Sequence, residues 1–321
     1  MARFACCLAV LWCCLVGSTM AAAPHKSGQA ETVETIPIGW ASAEGGTTGG
    51  QGGPRIDVAD GPSMVHALKG ISPAVVVVSG KIELSEMARV GSNKTIVGVG
   101  SGAEITGYGL HVGKVANVII RNLSIHDSAD DAINVDGASH HVWIDHCDFG
   151  QSHDGLVDIK HGSDFVTVSW CRFHDHHKTC LLGHSDKASA LAEDKGKLRV
   201  SYHHNFFDGS QTRHPRVRIA DPVHVFNNFY RGNEYGVAST DDAGVLVEGN
   251  FFLDVKAPTY TKYGDSKQPG RLVERNNQAT NSGPLQAAGT VAPIPYKYTL
   301  DDPAQVPDIV RAGAGVGKIG E

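Results

Sequence analysis

Two short phrases of the 321-residue chain carry the first chemical signal. Asp130 and Asp131 stand in Ser128-Ala129-Asp130-Asp131-Ala132-Ile133, and Asp154 and Asp158 in His153-Asp154-Gly155-Leu156-Val157-Asp158-Ile159. Carboxylates gathered at one point cannot all stay ionised unless a cation joins them. Oxygen-only donors select a hard ion, and a loose surface cluster suits Ca²⁺ better than the strict octahedron of Mg²⁺. The second signal is cationic: Arg213-His214-Pro215-Arg216-Val217-Arg218, preceded by Lys178 in His176-His177-Lys178-Thr179. Strand alternation puts Arg216 and Arg218 on one face. His214 precedes a proline, which favours extended backbone and predicts a strand running back through Arg213. Guanidinium forks are shaped to hold carboxylates bidentately. A third group is the histidines, among them His174, His176, His177, His203 and His204. His174-Asp175-His176-His177 invites a transition-metal reading, but no pair of ligands recurs with structural zinc spacing. Most of these histidines are expected in ladders, turns or the edge of the core.

Such side chains can act together only if the fold brings distant segments into register. Helical periodicity is confined to Asp57–Leu68, where Met64, Val65 and Leu68 predict one amphipathic helix capping an apolar edge. Beyond it a short phrase repeats: an apolar strand, a small polar residue, then an apolar residue. Examples are Val142-Trp143-Ile144-Asp145-His146-Cys147-Asp148-Phe149 and Val223-His224-Val225-Phe226-Asn227-Asn228-Phe229-Tyr230. The small polar markers are Asn122, Cys147, Cys171, Asn205, Asn228 and Asn250, which recur at nearly even steps except for a longer one between Cys171 and Asn205. A near-constant period of this length signals a repeat architecture. Leucine-rich repeats lack their leucines here, and propeller blades are longer. The expected fold is therefore all-β: a right-handed single-stranded parallel β-helix with a short N-terminal capping helix. Stacked turns lie about 4.8 Å apart, so equivalent side chains form ladders. Asn suits a ladder because its amide donates to one neighbour and accepts from another. The long step contains Asp186 to Lys197, expected to be an inserted loop. In this register Asp131 and Asp154 lie nearly one turn apart and converge, with Asp158 joining if the chain bends at Gly155. Cys147 and Cys171 become stacked neighbours, which leaves a disulfide and a pair of thiols equally open. Cys180 is read as a small core residue.

The ends and the charge bound the function class. Arg3, the apolar run from Ala5 to Gly17, and Ser18-Thr19-Met20-Ala21-Ala22-Ala23 have the form of a secretory signal peptide. Residues 1–23 are therefore expected to be removed and 24–321 to form the β-helix domain. Only Cys147, Cys171 and Cys180 of the seven cysteines then remain, too few for a disulfide framework. Losing Arg3 also makes the formal charge of −6 more negative by one. Such a balance excludes non-specific nucleic-acid binding, and any polyanion must be held by a local cationic patch.

Three of these phrases in this order, Trp143-Ile144-Asp145-His146, Asp154-Gly155-Leu156-Val157-Asp158-Ile159 and Arg213-His214-Pro215-Arg216-Val217-Arg218, resemble the signatures of the pectate lyases (polysaccharide lyase family 1, in the pectate/pectin lyase superfamily). The resemblance runs from Pro37-Ile38-Gly39-Trp40-Ala41 to Ala312-Gly313-Ala314-Gly315-Val316-Gly317. It implies a secreted, monomeric enzyme that cleaves α-1,4-linked polygalacturonate (pectate) by calcium-assisted β-elimination, giving 4,5-unsaturated products, with no membrane partner once the signal is removed. It also implies Asp131, Asp154 and Asp158 as primary Ca²⁺ ligands, Lys178 and Arg218 as substrate-binding cations, and Arg213 as catalytic base. Some relatives carry a further acid where this chain has Ala129, which leaves the part of Asp130 open. The rival readings are a β-helix pectin hydrolase, a calcium-free lyase of methyl esters, and a cell-wall-binding solenoid without activity.

Overall fold

The computed structural model describes residues 1–2 and 34–319. The expected signal segment lies almost wholly outside them. The described chain winds into three parallel sheets of ten, eight and nine strands, and each turn adds one strand to each sheet. Parallel neighbours joined by crossovers in one sheet wind right-handed, which gives the right-handed parallel β-helix that the repeats predict.

The core is a set of stacked rows. In the first sheet Val76, Ile96, Ile120, Ile144, Val168, Tyr202, Val225 and Val247 fall in register. All eight are fully buried. Branched side chains dominate this row because they pack well on a pleated surface. In the third sheet Phe149, Phe173, Phe207, Tyr230 and Phe252 form an aromatic row with centroid spacings of 5.2, 5.0, 4.9 and 4.4 Å. Their spacing follows the turn spacing, so each ring packs on the next at the separation that offset stacking favours.

The polar ladder is real but begins differently from the expected markers. Asp145 pairs with Arg121, which aligns Leu123, rather than Asn122, with Cys147. Asn122 instead lies level with His146, Trp170, His204 and Asn227, and all five have left-handed backbone (φ 48–55°). This is the bend between the first and third sheets, a conformation that Asn tolerates better than most residues. The ladder proper is Asn205, Asn228, Asn250 and Asn277. Asn228 Nδ2 donates to Asn250 Oδ1 (3.0 Å) and to the carbonyls of Tyr202 (2.9 Å) and Phe226 (3.0 Å), while its Oδ1 accepts from Asn205 (2.9 and 3.0 Å). Cys147 and Cys171 do occupy consecutive rungs, but as thiols directed at the carbonyls of Asp145 (3.4 Å) and Ser169 (3.2 Å). Cys180 is a buried core residue, as expected.

The capping helix α1 is Gly61–Ala67, shorter than the 57–68 expected because Asp57 and Val58 end a strand (Arg55–Val58). Asp60 caps it, accepting from Ser63 N (2.8 Å). Met64 and Leu68 close the apolar end of the coil and are fully buried. The insertion holds a second short helix, α2 (Ala188–Asp194), where the sequence predicts only a loop. Its Asp194 accepts from Gly162 N (2.7 Å), which pins the excursion to the preceding turn. A C-terminal helix, α3 (Val306–Gly313), packs Val306 and Val310 against Phe206 and Phe229.

Replacing Asn228 by Ala would strand several buried backbone and amide partners, each costing about 1–3 kcal/mol. On that basis urea unfolding of Asn228→Ala should show a loss of at least about 3 kcal/mol, while Asn117→Ala, at a partly exposed bend, should lose less than half of that.

Candidate active site

The second sheet positions the acidic and basic side chains. Its strands Ile133–Asp136, Val157–Ile159, Cys180–Leu182 and Arg216–Arg218 stack in that order. Ile133 pairs with Val157 on the next turn, so Asp131 lies level with Gly155 and Asp154 stands one position before it. The expected convergence is present. Gly155 N donates to Asp131 Oδ1 (2.8 Å). A Cβ at position 155 would lie 2.2 Å from Asp158 Oδ1 and 3.1 Å from Asp131 Oδ1. Only glycine leaves room for both carboxylates, which places these two oxygens on one small volume of space. Asp154 sits at its rim, half-exposed, and accepts from Lys178 Nζ (2.9 Å). Asp130 and Ala129 are exposed on the neighbouring turn, and the Asp130 charge acts on Asp131 from there.

Electrostatics separate the three aspartates. Asp158 is buried, and its Oδ1 has no hydrogen-bond partner among the described residues. Burial first, then the charge of Asp131, push its carboxyl up to about 7. Burial also raises Asp131, opposed by Lys160 and the Gly155 amide. The hydrogen bond from Lys178 holds Asp154 below the usual carboxylate range. A buried carboxylate oxygen with no donor, beside a second buried carboxylate, needs positive charge. The donor set is oxygen only and open at the Asp154 side, so these residues fit a hard divalent cation.

The cations face this cluster from the following turns. The Arg213 charge acts on both Asp154 and Asp158. The strand does not run back through Arg213, however: it begins at Arg216, and Arg213 is a left-handed bend (φ 69°) before the cis His214–Pro215 bond. The carbonyl of Arg213 accepts from Cys180 N (2.7 Å) and from the Thr179 hydroxyl, which fixes this bend to the preceding turn. Arg216 and Arg218 share one face, as alternation requires. Arg216 lies over the Tyr263 ring (5.3 Å). Arg218 donates to the Gly183 carbonyl (2.9 Å), and burial together with Arg216 lowers it to about 10. It therefore stays cationic at neutral pH.

One residue escapes the sequence reading. Lys160 Nζ is 3.4 Å from Asp131 Oδ2 and 3.8 Å from Asp158 Oδ2. It stands two positions after Asp158, and strand alternation puts both on one face. That spacing is the available signal. Conversely, His174 and His176 share no ligand geometry. His174 binds Asp148 (2.6 Å) and Asp175 (2.7 Å), whereas His176 Nε2 meets the Asp154 carbonyl (2.6 Å).

The raised Asp158 carboxyl has a pH consequence. It holds its proton in the folded chain up to about 7 but loses it near 3.8 when unfolded. The folded state thus binds more protons between these values, and stability falls as pH rises through that window. In chelator, the melting midpoint should drop from pH 4 to 7 more steeply for the native chain than for Asp158→Asn, measured by circular dichroism.

A family model described as pectate lyase matches residues 13–319. Pectate lyase A of Emericella nidulans is 40% identical over 294 residues, covering 88% of each chain. Pectate trisaccharide-lyase of Bacillus licheniformis is 34% identical over 326 residues, covering 94% of this chain and 93% of its own. Among solved structures, a pectate lyase from Bacillus sp. N165 in complex with trigalacturonate has a TM-score of 0.79 and 32% identity, over 88% of this chain and 100% of that one.

Proposed function

The chain belongs to the pectate lyase family and is a polysaccharide lyase, and from that premise we propose that it cleaves α-1,4-polygalacturonate outside the cell by Ca²⁺-assisted β-elimination. The observation that supports this reading is that the Asp131 and Asp158 carboxylates share one recess, with the charge of Asp154 acting on Asp158 from the rim and that of Arg213 acting on both Asp154 and Asp158. Asp131, Asp154 and Asp158 are the residues that would hold Ca²⁺. When bound there, the ion would neutralise the substrate carboxylate and so acidify the neighbouring C5 proton.

The chain's own residues account for the rest. Lys178 and Arg218 hold the uronate chain through its carboxylates, supplying the local positive charge that an acidic protein otherwise lacks. Arg213 accepts the C5 proton. The C5–H electron pair becomes the C4–C5 double bond, the C4–O bond breaks, and the departing oxygen takes a proton from water. Arginine normally keeps its proton. Arg213 and Arg218 act on one another as like charges, and the pH profile of the native activity tests whether Arg213 serves as the base. Secretion agrees with the form of the N-terminal segment, and no helix among the described residues is long and apolar enough to cross a membrane. We take the enzyme to act as a monomer.

The direct test is ultraviolet absorbance of the unsaturated product on polygalacturonate. Absorbance should grow with Ca²⁺ and stop with a chelator. Reducing ends appearing without absorbance would indicate hydrolysis instead. Removing a positioned base costs about 10²–10⁴-fold in rate. Arg213→Lys should lose turnover on that scale, with Ca²⁺ affinity by calorimetry nearly unchanged, and native activity at saturating Ca²⁺ should rise above pH 7. Normal turnover by Arg213→Lys would remove it as the base.

A further inference from the structure

A second cluster lies on the first sheet, and the reaction does not use it. The strand Val200–His203 ends in adjacent histidines, and His204 takes left-handed backbone (φ 53°) that turns its ring back toward His203. Their Nδ1 atoms face each other at 2.9 Å. The other nitrogen of His204, Nε2, lies 2.9 Å from Asp301 Oδ2, nearer than its contact with the Asn227 amide (3.4 Å). An ionised carboxylate only accepts, so Nε2 carries the hydrogen and Nδ1 presents a lone pair. The ring is held in place by stacking on Trp170 at 4.1 Å.

Glu34 completes the group. Its Oε1 accepts from Trp170 Nε1 (3.2 Å), and its backbone carbonyl accepts from Arg121 (2.8 Å). Its Oε2 is buried without a partner among the described residues. One ligand atom from each of Glu34, His203 and His204 lies within 4.8 Å of the others. The charges are as unsettled as the geometry. Burial raises the Glu34 carboxyl to about 7 and holds His203 well below the usual imidazole range. The nearby His146 and Arg121 are already engaged with Asp145, both at 2.7 Å.

We propose that Glu34, His203 and His204 form a binding site for a divalent transition-metal ion of the zinc class, distinct from the aspartate cluster. Two imidazole nitrogens and one carboxylate oxygen are the donors of three-ligand zinc sites, and nitrogen donors disfavour Ca²⁺. The Asp301–His204 pair is the carboxylate–histidine arrangement that orients a ligand and raises its basicity. The ion joins the lead-in segment to a sheet bend whose His204 is bound to the C-terminal tail. Its role is to fasten the lead-in segment and the C-terminal tail onto the middle of the coil, not to act on substrate.

The test uses the full chain with Ca²⁺ in excess to fill the oxygen site, titrated with Co²⁺ as a visible reporter. One equivalent should bind with the intense d–d absorption of a tetrahedral site, and Zn²⁺ should displace it and raise the melting midpoint. Glu34→Gln and Asp301→Asn preserve volume and should each weaken Co²⁺ binding by about 10–100-fold. Absence of that absorption in the folded native chain would overturn the site. So would binding by Glu34→Gln as tight as native, since the ion would then sit at other histidines.

Discussion

Parallel hydrogen bonding between successive turns is the constraint on which everything else rests. It makes the neighbour of a residue the one a full turn later, so turn length decides which chemistries meet. Leu123, Cys147 and Cys171 recur at equal intervals and stack flush. The turn that carries α2 is longer, yet the row continues through Asn205, because the extra residues leave the sheets and return without disturbing them. The same rule sets Asp131 beside Gly155, and it sets Lys178 and Arg213 on the turns that follow. A change in turn length between Asp131 and Arg213 that entered the sheets would dismantle the site even if every named residue survived.

The site draws on stability that the rows supply. Asp158 keeps an oxygen without a donor among the described residues, and Asp131 shares its recess. Lys160 offsets part of their repulsion from just beyond the strand that carries Asp158. Such groups cost free energy in the chain alone and are tolerated where the surroundings over-determine them. The aromatic row and the asparagine ladder run along the third sheet and the bend beside it, and thus hold the backbone rigid without occupying the carboxylate face.

Much of this is legible because a coil converts sequence spacing directly into contact. The separation of Asp131 and Asp154 is enough to expect their meeting, being one position short of the true turn. The limits come from features that act between turns. Asn122 looks like the first rung, but its amide donates instead to the carbonyls of Gly98 (2.8 Å) and Gly100 (2.7 Å), and the rung falls on Leu123. Arg213 looks like strand because its neighbour precedes a proline, yet tertiary bonds to its carbonyl hold a left-handed bend. Spacing alone leaves a disulfide between Cys147 and Cys171 open, and the rung geometry turns both thiols toward main-chain carbonyls. Lys160 carries little signal because a lysine after an aspartate is common, and only the buried pair beside it gives it meaning.

The two clusters on this scaffold offer different donor chemistry. On the second sheet, aspartates before and within short strands offer only oxygen, with Asp131 and Asp158 buried and Asp154 half-exposed at the rim. On the first sheet, the bend residue His204 and its neighbour offer nitrogen, closed over by Trp170 and Glu34. A hard ion gains little from imidazole, and a borderline ion gains more from imidazole than from carboxylates. The ion that each place would prefer therefore follows from side-chain type, and the register that the turns impose keeps the two donor sets apart.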